Sequence, residues 1–351
     1  MTATPFEHRW LSALLGDEEM GAHFTIEAEM AAMLAFEAAL AKAEAAEGLI
    51  TTAAARAIAR ACKNFVPDHT GLAEGALTDG LVVPAFVRQL KRAVGPPHDA
   101  RVHFGSTSQD VLDTALMLRL KPVITILDAR LAHIVVELEA LGDRHGGRIV
   151  MGRTRMQDAL PIQLTTRIES WRVPLLAHRA RLADLSPRLL RLQCGGAVGT
   201  RDKFGDKGEA IAARLATDLG LGPADPVWHA TRDTLVEFAS LLAMISGSLG
   251  KLGADVALMA QNGVGEVRVT GAGGSSAMPH KQNPIAAETL VALARHSATL
   301  SAGMQQALVH EGERSGAMWT LEWLTLPQMV MTTGAASRQA ARLITALEFG
   351  E

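Results

Sequence analysis

The sequence predicts an all-α protein built on a bundle of long helices, and three observations carry that prediction. Hydrophobic residues make up 48% of 351 residues, yet aromatics are only 4% and Tyr is absent. Ala, Leu and Met therefore supply the core, and that mixture favours helix over sheet. Leu235, Phe238, Leu242, Ile245, Leu249, Leu252, Val256 and Met259 alternate spacings of three and four without a slip, an apolar seam along roughly 37 Å of helix. Leu127, Leu131, Ile134, Leu138 and Leu141 repeat the pattern. Such helices pack as bundles, and a seam this long points to a homo-oligomer with a core drawn from several chains.

The elements follow in chain order. Met1 to Trp10 holds Glu7, His8 and Arg9 with no long apolar run, so no signal peptide is expected. Residues 25–48 read as helix, stopped by Gly48. Residues 51–62 read as another, capped by Thr51 or Thr52. Pro67, Gly71, Gly75 and Gly80 break the pattern over 65–80, and residues 81–94 resume it as a short helix before Gly95-Pro96-Pro97. Residues 1–109 thus form a small, mostly helical N-terminal domain, and 110–351 a helical-bundle domain. A long helix is expected over 110–144, kinked or divided at Pro122. The next spans 160–185, with Pro161 in its first turn. Helices over 235–259, 285–308 and 319–347 complete the chain.

Composition excludes several function classes. A net charge of -3 removes the electrostatic case for nucleic acid or an anionic membrane as partner. The two cysteines, Cys62 and Cys194, have no metal or redox spacing and fit a reducing, cytoplasmic setting. The most apolar stretch, 235–259, contains Glu237, Lys251 and Asp255, which argues against a membrane span. No phosphate loop, zinc helix or nucleophile elbow occurs. The His residues are scattered, so neither a metal nor a cofactor is expected.

Three segments interrupt the helices. His103-Phe104-Gly105-Ser106-Thr107-Ser108-Gln109-Asp110 precedes the long helix; its hydroxyls and N–H groups suit a carboxylate, although spacing alone favours a plain cap by Ser108 or Asp110. Gly152-Arg153-Thr154-Arg155-Met156-Gln157-Asp158 reads equally as a solvated basic turn. The run from Gly271 to Pro284 combines three glycines, Ser275, Ser276, Met278, Lys281 and Asn283. It can close over an anion with Ser as proton donor or acceptor, and it is too dense in fixed prolines and donors for a linker.

The run Gly274-Ser-Ser-Ala-Met-Pro-His-Lys-Gln-Asn-Pro284 closely resembles the signature loop of the fumarase/aspartase superfamily. Gly105–Asp110 and Gly152–Gln157 resemble the first and second signature regions, in the right order, and residues 27–50 resemble the start of these enzymes. Adenylosuccinate lyase places a His after the Thr of the second region, where this chain has Arg155. It places another before a Val-Val-Ala-Phe-like segment, where this chain has Asp79 and Gly80. The runs at Leu81–Pro84, Cys194–Thr200 and Glu311–Arg314, with Trp319, Glu322 and Trp323, look more like the carboxymuconate-cycloisomerase branch.

That resemblance implies a fumarase/aspartase-like bundle and an intramolecular carboxylate addition that forms a lactone, with proton transfer through an aci-carboxylate. It makes Ser275 the proton-transfer residue. Lys281 and Asn283 complete the catalytic group, stabilising the alkoxide and holding the reacting carboxylate. It implies substrate binding by His103, Thr107, Ser108, Thr154, Arg155, Gln157, Ser276, Met278 and Arg314. The expected partner is a small di- or tricarboxylate, and the expected assembly a homotetramer with each active site shared by three subunits. Superfamily members carry a third, smaller helical domain after the bundle. This chain stops at Glu351, so a short subtype or truncation is expected. Three alternatives stay open: a sulfonate in place of the 3-carboxylate, a fumarate-releasing lyase, and a non-catalytic assembly protein.

Overall fold

A computed structural model describes residues 4–271, 273, 274, 278 and 281–349. Two single-turn helices, α1 (Ser12–Leu15) and α2 (Glu18–Gly21), lead into α3 (Ile26–Ala46), α4 (Thr52–Lys63), α5 (His69–Asp79) and α6 (Val83–Val94). The long α7 (Ser108–His145) runs into the strands β1 (Ile149–Thr154) and β2 (Gln157–Gln163), then α8 (Leu164–Leu189) and α9 (Gly208–Leu219). The chain continues through α10 (Asp233–Met259), β3 (Arg268–Val269), α11 (Ile285–Ala307), α12 (Gly316–Thr345) and β4 (Leu347–Glu348).

Thr25 and Thr51 cap α3 and α4, each side chain accepting from the backbone N–H three residues on. All eight seam residues of α10 are buried. By length and composition α10 alone among the described helices could cross a membrane, but it packs on α8, α11 and α12, which share one continuous core with α7. A second core gathers α3, α4 and α6 with the first turns of α7 and residues 192–224.

Four expectations need correction. Residues 69–79 are helical although Gly71 and Gly75 lie among them. Asp68 caps α5 by accepting from Gly71 N–H at 3.0 Å. A Cβ on Gly75 would meet the Ala85 Cβ at 2.3 Å, so this glycine marks a close helix crossing rather than a break. Pro122 lies within α7 and does not divide it. Pro161 belongs to a strand opposite Met151, and the helix expected from 160 starts at Leu164. A two-stranded ladder has two free edges, which tolerate a residue with no N–H. The second basic segment is accordingly a β-hairpin. Helix α9 had no counterpart in the sequence reading; it buries Ile211, Leu215 and Ala216.

Three long helices run in the same sense. Arg232, just before α10, binds Asp113 near the start of α7 and Glu322 near the start of α12, so these helices begin together. They also finish together. The hairpin after α7 reaches Glu266 beyond α10 through Arg153, and β3 pairs with β4 after α12. Helix α7 has 38 residues and spans roughly 57 Å, which separates the two ends.

Candidate active site

At the end where α7 begins, the first loop is built into the core. Gly105 has φ +71°, and a Cβ there would strike the Phe204 ring at 2.2 Å, so only glycine makes this turn. Thr107 is the N-cap of α7 and Ser108 its first residue, in place of the expected cap by Ser108 or Asp110. Asp110 is fully buried. It accepts from the N–H groups of Thr107 (3.0 Å), Gly195 (2.8 Å) and Gly196 (2.9 Å), and its Oδ1 pairs with His229 Nε2 at 2.8 Å. One turn on, Asp113 and Glu322 each grip the buried guanidinium of Arg232 with two bonds of 2.6–3.0 Å. Arg232 also lies 4.9 Å from the Trp228 ring centroid, and Trp319 donates to Asp113 at 3.2 Å.

His103 opens this loop with φ +59°, and its Nδ1 lies 2.6 Å from Glu37 Oε1. Burial pushes the imidazolium pKa down, but the charge and hydrogen bond of Glu37 outweigh it and hold the pKa above the ordinary histidine value. Glu44, two turns along α3 from Glu37, is fully buried, and neither carboxylate oxygen has a hydrogen-bond partner among the described residues. Burial first, and then the charge of Glu37, raise its pKa to about 9, so at neutral pH Glu44 is a neutral acid. Burial likewise lifts the Cys62 thiol to about 12, which makes it inert. Arg314 joins this end, donating to the Ala197 carbonyl at 3.0 Å.

At the other end the predicted residues stand on arms. Arg155 and Met156, with φ +51° and +65°, form the turn of the β1–β2 hairpin. Side-chain-bearing residues are rarely held in this left-handed conformation, which costs about 1–2 kcal/mol each. Gly152 lies at a register shift between Met151 and Arg153, and a Cβ there would meet the Leu160 carbonyl at 2.7 Å. Thr154 and Arg155 line a cavity of about 740 Å³ beside Lys251, Asp255 and Gln261. Gln157 is exposed at the first position of β2. Met278, Lys281 and Asn283 line a second cavity of about 1080 Å³ with Gln261, Asn262 and Arg268. Asn283 is held by paired backbone bonds with Gly273 at 2.8 and 3.1 Å. Ser275 and Ser276 lie outside the described residues.

One chain therefore brings the second and third loops to one end, where both cavities reach Gln261, and leaves His103, Thr107, Ser108 and Arg314 a helix length away. Sequence reasoning did not single out Glu37, His229, Arg232, Gln261, Glu266 or Arg268. A visible signal existed for the first: Glu37 and Glu44 are seven residues apart in α3, whose buried positions are otherwise apolar. His229 and Arg232 gave none, since their partners lie about a hundred residues away.

A lyase family model matches residues 16–296. The chain is 40% identical over 335 residues to the 3-carboxy-cis,cis-muconate cycloisomerase of Pseudomonas aeruginosa, covering 94% of this chain and 73% of the relative. It superposes with TM-score 0.91 and 38% identity on the crystal structure of 3-carboxy-cis,cis-muconate lactonizing enzyme from Pseudomonas putida, covering 96% of this chain and 77% of that one. A fumarate lyase from Mesorhizobium sp. BNC1 superposes with TM-score 0.89 at 30% identity, covering 95% of this chain and 76% of that one.

Proposed function

The chain belongs to the lyase family, and from that premise we propose that it converts 3-carboxy-cis,cis-muconate to 4-carboxymuconolactone. The observation that carries the reading is the 40% identity with a named cycloisomerase along 94% of the chain. Arg155 supports it, because the substrate's own carboxylate is the nucleophile and the second loop then needs positive charge more than a histidine base.

The reaction rearranges bonds and releases nothing. A carboxylate oxygen adds to one end of the diene and forms the lactone C–O bond. A proton is added to the carbon next to another carboxylate, whose extra charge in the aci form must be stabilised. Ser275 is the proton-transfer residue. Lys281 and Asn283 hold the carboxylate where charge develops, Ser276 and Met278 border it, and Thr154, Arg155 and Gln157 bind a further carboxylate. His103, Thr107, Ser108 and Arg314 serve from the other end of the bundle.

The first loop stands roughly 57 Å of helix from the other two, so one chain cannot bring all three to one substrate. A homotetramer in which three subunits each contribute one loop answers that geometry. We place the domain boundary at 109/110 and the protein in the cytoplasm.

The test is loss of diene ultraviolet absorbance by purified protein on 3-carboxy-cis,cis-muconate, with the lactone identified by NMR. Ser275→Ala should remove most turnover and leave the assembly intact; near-normal turnover would overturn the role of Ser275. The 30% identity with a fumarate lyase favours one second reading. Fumarate release from a succinyl substrate, with no loss of the diene, would establish it.

A further inference from the structure

Glu266 lies between α10 and β3, and its side chain is 12% exposed. One carboxylate oxygen accepts from Arg153 Nη1 at 2.5 Å, the other from Arg167 Nη1 at 2.7 Å. Arg153 belongs to β1 and Arg167 to the first turn of α8. Arg167 Nη2 also donates to the Met151 carbonyl at 2.9 Å, and Arg153 pairs across the hairpin with Asp158 at 2.9 Å. Two residues beyond Glu266, Arg268 opens β3 and lines the cavity that contains Lys281 and Asn283. A single carboxylate thus joins the arm bearing Thr154–Gln157 to the strand bordering the third loop.

The hairpin requires a tie of this kind. An isolated two-stranded hairpin is marginal in water. This one has both turn residues in the left-handed region, and β2 is exposed at every position but Ile162. Charge-assisted bonds at these distances are about twice as strong as neutral ones and fix direction as well.

We propose that Glu266 is a positioning residue: its clasp on Arg153 and Arg167 holds the hairpin against the end of the bundle, so that the carboxylate-binding groups of Thr154–Gln157 are placed before substrate arrives. The catalytic part of this inference rests on the proposed function; the structural part does not.

The test uses the full chain carrying Glu266→Gln, which keeps shape and removes charge. Amide hydrogen exchange over residues 149–163 should quicken roughly ten-fold while core amides of α7 and α8 keep their rates. The kcat/KM for 3-carboxy-cis,cis-muconate should fall roughly 10- to 100-fold, with partial recovery in Glu266→Asp. Arg153→Met combined with Glu266→Gln should be little worse than Glu266→Gln alone, because the charged Arg153–Glu266 contact is already lost there. Unchanged hairpin exchange overturns the clasp, as does equal quickening throughout α7 and α8, which marks general destabilisation. Faster hairpin exchange with unaltered kcat/KM overturns the positioning role. A wild-type protein that leaves the muconate untouched fails the functional reading instead, and the exchange comparison still decides the clasp.

Discussion

Where α7, α10 and α12 begin, a group of charged side chains is buried and each holds several partners; where those helices finish, the polar groups stand on exposed arms tied by a few ion pairs. Asp110, Asp113, Arg232 and Glu322 belong to the first kind, all of them no more than 2% exposed. Thr154, Arg155, Gln157 and Lys281 belong to the second. A buried charge is tolerable only when its partners are fixed, because losing one strands the other in low dielectric. That end is therefore rigid by electrostatic necessity. The arms face no such penalty, and their order depends on particular ties such as that of Glu266. Stability should concentrate in the first region and turnover in the second.

Arg232→Met tests this most severely. It leaves the Asp113 and Glu322 carboxylates buried without their counter-ion, and unfolding in urea should show a loss of about 3–5 kcal/mol. A change below about 1 kcal/mol would break the comparison at its buried end. Lys281→Ala should do the reverse. In the proposed mechanism it removes one donor to the developing charge and should lower kcat by about 10²–10³, or about 2.7–4 kcal/mol of barrier, with the melting temperature nearly unchanged. An unfolded Lys281→Ala would show that the arms carry stability after all.

Glu44 sharpens the comparison through pH. Its folded pKa of about 9 exceeds the ordinary 4.5, so the folded state keeps a proton that the unfolded chain releases. The stability this confers is complete below about pH 4.5 and is lost as pH rises toward 9. Glu44→Gln removes that loss. It should match wild type in acid and exceed it by on the order of 1–3 kcal/mol at pH 7, read as the urea midpoint across pH 5–9. A constant difference across that range would show that Glu44 ionises freely in the fold.

The long helices were legible because their signal is local. The seam from Leu235 to Met259 recurs every three or four residues and needs no knowledge of what it packs against. Thr51 announced its helix because a cap bonds only three residues ahead. Even the three loops could be named, since each is a short run of residue types dense enough to stand out. Other features depend on neighbours distant in the chain. Gly75 is read as a break unless Ala85 is known to lie against it. Pro161 looks like a helix start until Met151 is placed opposite. Arg232 shows no pattern at all, because Asp113 and Glu322 lie 119 and 90 residues away. The sequence by itself determined the helical class, the long bundle elements and the three dense loops between them, through periodicity and composition that act within a few turns. Only the tertiary structure decided which carboxylate meets which cation, which loops share an end and what ties the hairpin down, because Coulomb attraction and steric contact depend on distance in space and not along the chain.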